Sequence, residues 1–345
     1  MKIDISKNLT THIAMVLLAG STALEARVYT VSQNNTANQY GENVHYSWGS
    51  ADSSRDYADI RNSYWNNELT PIDVIFAKGQ EADQTGEFYF TTLTIGGTAD
   101  LKSALTLRDG VKLNLSSYMD VDGKFSASNA DVAAAYLDVS AFGSFNMKGG
   151  SLTLTGGATG ITYKIAGSMK MDDVAFTTGN RLLIDGGNYG GVTYNDADVI
   201  FSGTTNFTGT DIVVEGSNKL SVTDAATVRV DSLNASNLKV SESAEIFVSS
   251  ANDLSVENLS IILDGIEPVN FSDIFKADDG TSIAFSADNT NISVMDQSGT
   301  IYQNVDFAYD DNGNITGITA VPEPAVYAVA FAVAALGLAA YCRRG

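Results

Sequence analysis

The sequence predicts an all-β protein with a β-solenoid body, or alternatively a β-sandwich, followed by one C-terminal transmembrane helix. Apolar residues alternate with polar ones at a period of two, which is typical of half-buried strands. Apolar pairs recur at short intervals, with turn-forming residues between them. The chain has 31 glycines, 4 prolines and only 18% charged residues, a composition that favours short strands and tight turns over helices.

The clearest series of strands begins at Leu220. Its apolar pairs are Leu220/Val222, Val228/Val230, Leu238/Val240, Ile246/Val248, Leu254/Val256 and Ile261/Leu263. In this register Val240 points into the core, whereas Ser241 opens the next turn. Earlier pairs are spaced less evenly: Leu105/Leu107, Val111/Leu113/Leu115, Leu152/Leu154, Val174/Phe176, Val192/Tyr194 and Val199/Phe201. Long repetition without regularly placed hairpin dipeptides favours a solenoid over a sandwich.

Residues 28–76 form an aromatic-rich segment ahead of the main body at 77–320. Its motifs Tyr46-Ser47-Trp48-Gly49, Ser63-Tyr64-Trp65-Asn66 and Pro71-Ile72-Asp73-Val74-Ile75-Phe76 resemble the start of autotransporter-type β-solenoid passengers. The resemblance implies an N-terminal cap that seals the open end of a stacked core. The alternative is a platform on which Trp48, Tyr64 and Trp65 stack against sugar rings.

The N-terminal segment 1–26 has the pattern of a secretory signal peptide. Lys2 and Lys7 precede the apolar run at 13–19, which is too short to span a bilayer. Small residues follow, and cleavage is expected after Ala23 or Ala26. We therefore expect an exported protein.

Residues 321–345 have the organisation of a membrane sorting signal. An uncharged stretch at 325–342 is long enough for a transmembrane helix, and Arg343 and Arg344 after it predict a cytoplasmic terminus. Before it stands the tripeptide 322–324, whose prolines exclude it from the helix.

This order of features resembles the PEP-CTERM sorting signal of Gram-negative envelope proteins. The resemblance covers the C-terminal segment 322–345, and the matching positions are Pro322, Glu323, Pro324, Arg343 and Arg344. It implies processing by an exosortase, a transient stay in the inner membrane and a final place on the cell surface or in the extracellular matrix. A permanent C-terminal anchor is the alternative, since the span and its basic flank have the same physical pattern.

The composition limits the chemistry. A net charge of −21 argues against nucleic acid as a partner. His45 lacks the context of a catalytic triad, and Cys342 is the only cysteine, so we predict no catalytic site, no disulfide and no zinc site. The acidic segments Asp120-Val121-Asp122-Gly123, Asp278-Asp279-Gly280 and Asp310-Asp311-Asn312-Gly313-Asn314 are interpreted as turns. They predict no resident cofactor and at most adventitious calcium.

The expected function is that of a structural or adhesin-like envelope protein associated with extracellular polysaccharide, not an enzyme. The alternative is a carbohydrate-active enzyme or a carbohydrate-binding module on a β-helix scaffold. Ice binding is disfavoured, because it needs a flat threonine-rich face and Thr91, Thr92, Thr153, Thr155, Thr177 and Thr178 form no regular Thr-x-Thr ladder.

Overall fold

The computed structural model describes residues 27–31, 44–46, 57–60, 72–77, 86–98, 102–156, 162–186, 188–189, 192–265 and 267–320. Twenty-six strands within these ranges form one sheet, and every strand pair in it is parallel except β2 with β3. The sheet winds around the core as three faces, which we name A, B and C. One turn of the chain around the core, a rung, supplies one segment to each face.

Strands are numbered in chain order. Face A consists of β1 (Arg27–Val31), β4 (Ile72–Phe76), β7 (Ala104–Leu107), the first half of β10 (Lys124–Ala134), the first half of β12 (Ser144–Leu154), β14 (Ser168–Asp172), β19 (Asp198–Ser202), β22 (Lys219–Val222), the second half of β24 (Ser232–Ser241), the second half of β26 (Leu254–Leu263) and β29 (Asn291–Asp296).

Face B consists of β5 (Glu87–Phe90), β8 (Lys112–Leu115), the second halves of β10 and β12, β15 (Ala175–Thr178), β20 (Asn206–Thr208), β23 (Thr227–Arg229), β25 (Glu245–Val248) and β28 (Phe275–Ala277). Face C consists of β3 (Tyr57–Ile60), β6 (Thr92–Ile95), β9 (Tyr118–Val121), β11 (Tyr136–Val139), β13 (Thr162–Ile165), β16 (Arg181–Ile184), β21 (Asp211–Val214) and the first halves of β24 and β26.

This parallel stacking is that of a β-solenoid. An antiparallel sandwich would pair strands that follow each other in the chain, whereas here Leu105, Phe125 and Phe145 are partners on successive rungs. The sequence separation of register partners is not constant: it is short for Leu220 with Leu238 and much longer for Leu259 with Ile292. Loops of different length cause this change, and it explains why the sequence shows no strict repeat.

Apolar side chains alternate inward along nearly every strand and fill the interior. The predicted pairs on β7, β8, β12, β15, β19 and β22–β25 are buried, which confirms their inward direction. Stacked rings reinforce the rungs: the ring centroids of Phe125 and Phe145 are 4.5 Å apart, and those of Phe76 and Phe88 are 4.2 Å apart. The contact between Phe125 and Phe145 is a direct result of parallel, in-register pairing, which places equivalent positions side by side.

The corner between faces A and B needs left-handed backbone. Asn129, Gly149, Asp173, Gly203 and Asp224 occupy it on successive rungs, with φ values of 44°, 68°, 59°, 64° and 56°. Only glycine, asparagine and aspartate adopt this conformation readily. The aspartates also stabilise the corner: an Asp173 oxygen accepts from the Thr204 backbone N–H at 2.8 Å, and an Asp224 oxygen accepts from the Gly203 N–H at 3.1 Å.

The corner between faces C and A is closed by glycines on its middle rungs. A Cβ at Gly123 would lie 2.3 Å from the Ser103 carbonyl oxygen, and one at Gly143 would lie 2.0 Å from the Val121 carbonyl oxygen. No side chain fits at those distances. These glycines allow the backbones of neighbouring rungs to approach closely.

Both ends of the described solenoid carry antiparallel structure. At the N-terminal end, β2 (Val44–Tyr46) runs antiparallel to β3, so strands from the predicted cap segment belong to the same sheet as the body. At the C-terminal end, β27 (Val269–Asn270), β30 (Val305–Tyr309) and β31 (Ile315–Ala320) form a separate sheet. The remaining short elements of the described ranges are the hairpin of β17 (Asn188–Tyr189) and β18 (Val192–Thr193), a 3-10 helix at Ala251–Asp253 and an α-helix at Phe271–Ile274.

Two sequence-based predictions about turns are wrong. Ser241 does not open an exposed turn: it is the last residue of β24, it is only 5% exposed, and its hydroxyl donates to the Asp224 carbonyl oxygen at 2.9 Å. The polarity of serine suggested exposure, but the corner supplies a buried acceptor. Asp120 and Val121 are not turn residues either, because they lie within β9.

Candidate functional site

An open groove of about 560 Å³ lies on face C. Ser117, Tyr118, Asp120, Tyr136 and Asp138 line it, and we name it the tyrosine groove. Its residues come from β9, β11 and the turn before β9. The groove therefore spans two neighbouring rungs of the solenoid.

A short repeat in the sequence builds this groove. Tyr118-Met119-Asp120-Val121 recurs as Tyr136-Leu137-Asp138-Val139, and the two strands pair residue for residue. The apolar residues of both copies are buried, so the tyrosines and aspartates point outward. Because neighbouring strands are about 4.8 Å apart, tyrosine lies beside tyrosine and aspartate beside aspartate.

The two tyrosines differ in exposure. The side chain of Tyr118 is 41% exposed, whereas Tyr136 is half-buried and its ring centroid lies 5.8 Å from that of the core residue Tyr163. Tyr163 is fixed in turn, because its hydroxyl donates to the Ala135 carbonyl oxygen at 3.3 Å and accepts from the Asn180 amide at 3.3 Å. Burial, chiefly, raises the pKa of Tyr136, with the charges of Asp138 and Asp120 contributing. Tyr136 is thus a partly buried, neutral ring with a hydroxyl that can donate.

Asp138 is the most unusual group in the groove. Its Oδ1 atom is buried and has no hydrogen-bond partner among the described residues. Burial raises the pKa of the Asp138 carboxyl; the nearby Lys164 ammonium opposes this shift and the Asp122 carboxylate adds to it. A buried acceptor without a donor costs free energy, because it loses its bonds to water. Asp138 thus places a partly desolvated carboxyl in the lining of the groove.

Lys164 borders the groove on the next rung. It is the register partner of Asp138, and its ammonium lies 3.3 Å from the Asp185 carboxylate. The described pairing of β11 with β13 covers only the ends of the two strands, Asp138 with Lys164 and Val139 with Ile165. The described pairing therefore does not extend to the Tyr136 end of β11.

The site residues predicted from the sequence are not brought into this groove. Trp48, Tyr64, Trp65, Pro322, Glu323, Pro324, Arg343 and Arg344 lie outside the described residues, as do the signal peptide and the span at 325–342. Within the described residues, no helix is long and apolar enough to cross a membrane. The sequence prediction also missed Tyr118 and Tyr136, although the repeated Tyr-x-Asp-Val motif was a readable signal for them.

The other acidic segments behave as turns. An Asp310 oxygen accepts from the backbone N–H groups of Asn312 and Asn314 at 2.9 and 2.8 Å, closing the hairpin between β30 and β31. An Asp279 oxygen likewise accepts from the Thr281 N–H at 2.9 Å. In the part of the chain that the structure describes, no group of three or more His, Cys, Asp or Glu side chains is placed to hold a metal ion.

Face B contains a threonine ladder that the sequence did not reveal. Thr153, Thr177 and Thr208 are register partners on three successive rungs, and all three point outward. The sequence predicted no regular Thr-x-Thr ladder, and this single column of three threonines, flanked by Ala133 and Arg229, does not contradict that prediction. The partners are separated by unequal stretches of chain, so their alignment depends on the loops between rungs.

Comparisons with protein-family models, with curated proteins and with solved structures found no match to this chain.

Proposed function

We propose that this protein is an exported, adhesin-like protein of the cell envelope that binds polysaccharide through the tyrosine groove. The observation that carries the binding proposal is the pair of outward tyrosines on adjacent rungs, with two aspartates beside them in the same groove. Aromatic faces stack on the apolar faces of pyranose rings, while carboxylates accept hydrogen bonds from sugar hydroxyls and tyrosine hydroxyls donate to them.

Binding is tested with the variant Tyr118→Ala. Purified full-length protein is screened on a glycan array, and the affinity for the best ligand is measured by titration calorimetry. We expect Tyr118→Ala to weaken binding about five-fold or more, because it removes an exposed stacking surface from the groove. Tyr118→Phe keeps the ring and should retain most of the affinity.

Tyr89→Ala is the matched control. Tyr89 is an exposed tyrosine on face B, 48% accessible, and it lies outside the tyrosine groove. Its removal should leave glycan binding unchanged. Unaltered binding by Tyr118→Ala, or an equal loss in both alanine variants, would contradict the proposed groove.

The sorting part of the proposal rests on the C-terminal motif. Replacing Pro322, Glu323 and Pro324 by alanine should leave secretion intact and retain the full-length chain in the inner membrane, because the tripeptide distinguishes exosortase sorting from plain anchoring. Cell fractionation and mass spectrometry measure the location and the mass. A variant with the location and mass of the parent would show that no processing enzyme recognises the tripeptide.

The aspartate pair favours a carbohydrate-active enzyme as the second candidate. Asp120 and Asp138 are register partners on adjacent strands, and the raised pKa of Asp138 is the property of a general acid. Retaining glycosidases hold two carboxylates about 5 Å apart, close to the spacing of neighbouring strands. Shortened oligosaccharides in the recovered titration samples would favour this candidate over simple binding.

A further inference from the structure

The charges around the tyrosine groove are mostly negative. Asp138 is the register partner of Asp120 on β9 and of Lys164 on β13, and the Asp122 carboxylate in the turn after β9 also acts on it. Tyr118 and Tyr136 line the same groove. The one ammonium in this set, that of Lys164, is already paired with the Asp185 carboxylate. A ligand that enters the groove therefore meets a surplus of carboxylates, and a polyanionic sugar chain would be repelled.

The Asp138 carboxyl, which lines the groove, adds a preference for a donor on the ligand. A neutral sugar hydroxyl could donate one hydrogen bond to it but would leave the carboxylate charge unbalanced. An ammonium group would supply both the donor and the opposite charge. The rings of Tyr118 and Tyr136, which line the same groove, would attract the same cation through their electron-rich faces.

We propose that the tyrosine groove selects cationic polysaccharide, that is, chains of amino sugars whose amino groups are free and not acetylated. This inference rests on the proposed polysaccharide binding and names its ligand class. The ammonium pairs with Asp138, Asp120 lies on the adjacent rung beside this pair, and the tyrosine rings hold the sugar plane. Binding weakens in mildly acid solution, since a carboxyl with a raised pKa becomes neutral before its neighbours do.

The test is a titration of full-length protein with four defined hexasaccharides: glucosamine, N-acetylglucosamine, glucose and galacturonic acid oligomers. We expect the glucosamine hexamer to bind about ten-fold more tightly than the acetylated and the neutral ones, with a marked loss at high salt. The galacturonic acid hexamer should bind most weakly. Equal affinity for glucosamine and glucose hexamers would overturn the charge selectivity and leave the proposed binding function standing, whereas binding to none of the four would overturn both.

The variant Asp138→Asn tests whether the Asp138 carboxylate causes the preference for the glucosamine hexamer. It should reduce the affinity for the glucosamine hexamer about ten-fold and leave the affinity for the glucose hexamer within about two-fold. Asp131→Asn is the matched control, since Asp131 is an exposed aspartate of β10 on face B. Retained glucosamine selectivity in Asp138→Asn would overturn the proposal.

The melting temperature separates this result from misfolding. The folded-state pKa of Asp138 lies above its unfolded value, so the favourable contribution of its neutral form is lost as pH rises through the folded pKa. Asparagine stays neutral at every pH. Asp138→Asn should therefore melt at a higher temperature than the parent at neutral pH and at a similar temperature in acid. A lower melting temperature at neutral pH would show that Asp138 stabilises the fold, and would overturn its assignment as a ligand-binding group.

Discussion

Asp138 shows how a single residue can oppose the stability of the fold that carries it. Its neighbours Leu137 and Val139 are fully buried and contribute to the core, whereas its own carboxyl is desolvated without a donor for Oδ1 among the described residues. Groups of this kind are concentrated at functional sites, because stability alone would replace them. The residue is thus a stronger indicator of a site than the many exposed aspartates that close turns.

Gly143 is the opposite case, a residue required by packing alone. A Cβ there would lie 2.0 Å from the Val121 carbonyl oxygen, and neither backbone can move without separating two rungs. We expect Gly143→Ala to lower the free energy of unfolding by about 2 kcal/mol or more. Denaturant unfolding followed by circular dichroism measures the change.

Gly179→Ala is the control for this substitution. Nothing lies within 4 Å of a Cβ at Gly179, and its φ lies outside the left-handed range. Its effect should stay within about 1 kcal/mol, because only the conformational freedom of the unfolded chain changes. Similar losses in both variants would show that the rungs at Gly143 adapt to a methyl group.

At the scale of elements, the long strands show how one segment serves two faces. β10 and β12 cross the corner between faces A and B through the left-handed residues Asn129 and Gly149. β24 instead crosses from face C to face A, where the Asn237 amide donates to the carbonyl oxygens of Gly216 and Asn218 at 2.9 and 3.0 Å. The corners thus depend on particular residue types, and the flat segments between them only on alternation.

Asparagines continue this second corner on the following rungs. The Asn258 amide donates to Asn237 Oδ1 at 3.2 Å, and the Asn291 amide donates to Asn258 Oδ1 at 3.1 Å. The middle rungs close the same corner with glycines, at Gly123 and Gly143. Both residue types allow a tight bend. Glycine has no side chain to obstruct it, and asparagine stabilises it by hydrogen-bonding to the next rung.

For the whole molecule, the solenoid architecture makes the stability of each rung depend mainly on its neighbouring rungs. Each rung pairs only with the rungs before and after it, so damage should spread from rung to rung. We expect Val240→Asp to destabilise its region by about 3 kcal/mol or more, because Val240 is fully buried and an unpaired carboxylate would replace it. Hydrogen exchange should show protection lost first in β22–β26, with β7–β11 still protected.

Lys239→Asp is the matched control on the same strand. It inserts the same side chain at the neighbouring position, which faces outward on face A, and should change stability by only about 0.5 kcal/mol. Ser241 cannot serve as this control because it is buried. Loss of protection along all three faces at once in Val240→Asp would show that the solenoid unfolds as one unit.

The sequence by itself determined the strand class and the inward face of nearly every strand, from Leu105 to Leu263. Alternation is a local property, and a buried residue such as Val240 can be recognised from its immediate neighbours. The left-handed corner residues were also recognisable as turn formers, since asparagine, aspartate and glycine occupy them.

Only the tertiary structure decided which outward residues meet. The neighbours of Tyr118 and Thr177 depend on register, and register depends on loops whose lengths differ from one rung to the next. A polar outward residue contributes little to the core, so the residues next to it in the sequence do not indicate its partner on the next rung. The tyrosine groove and the unpaired Asp138 oxygen therefore became visible only when the rungs were stacked.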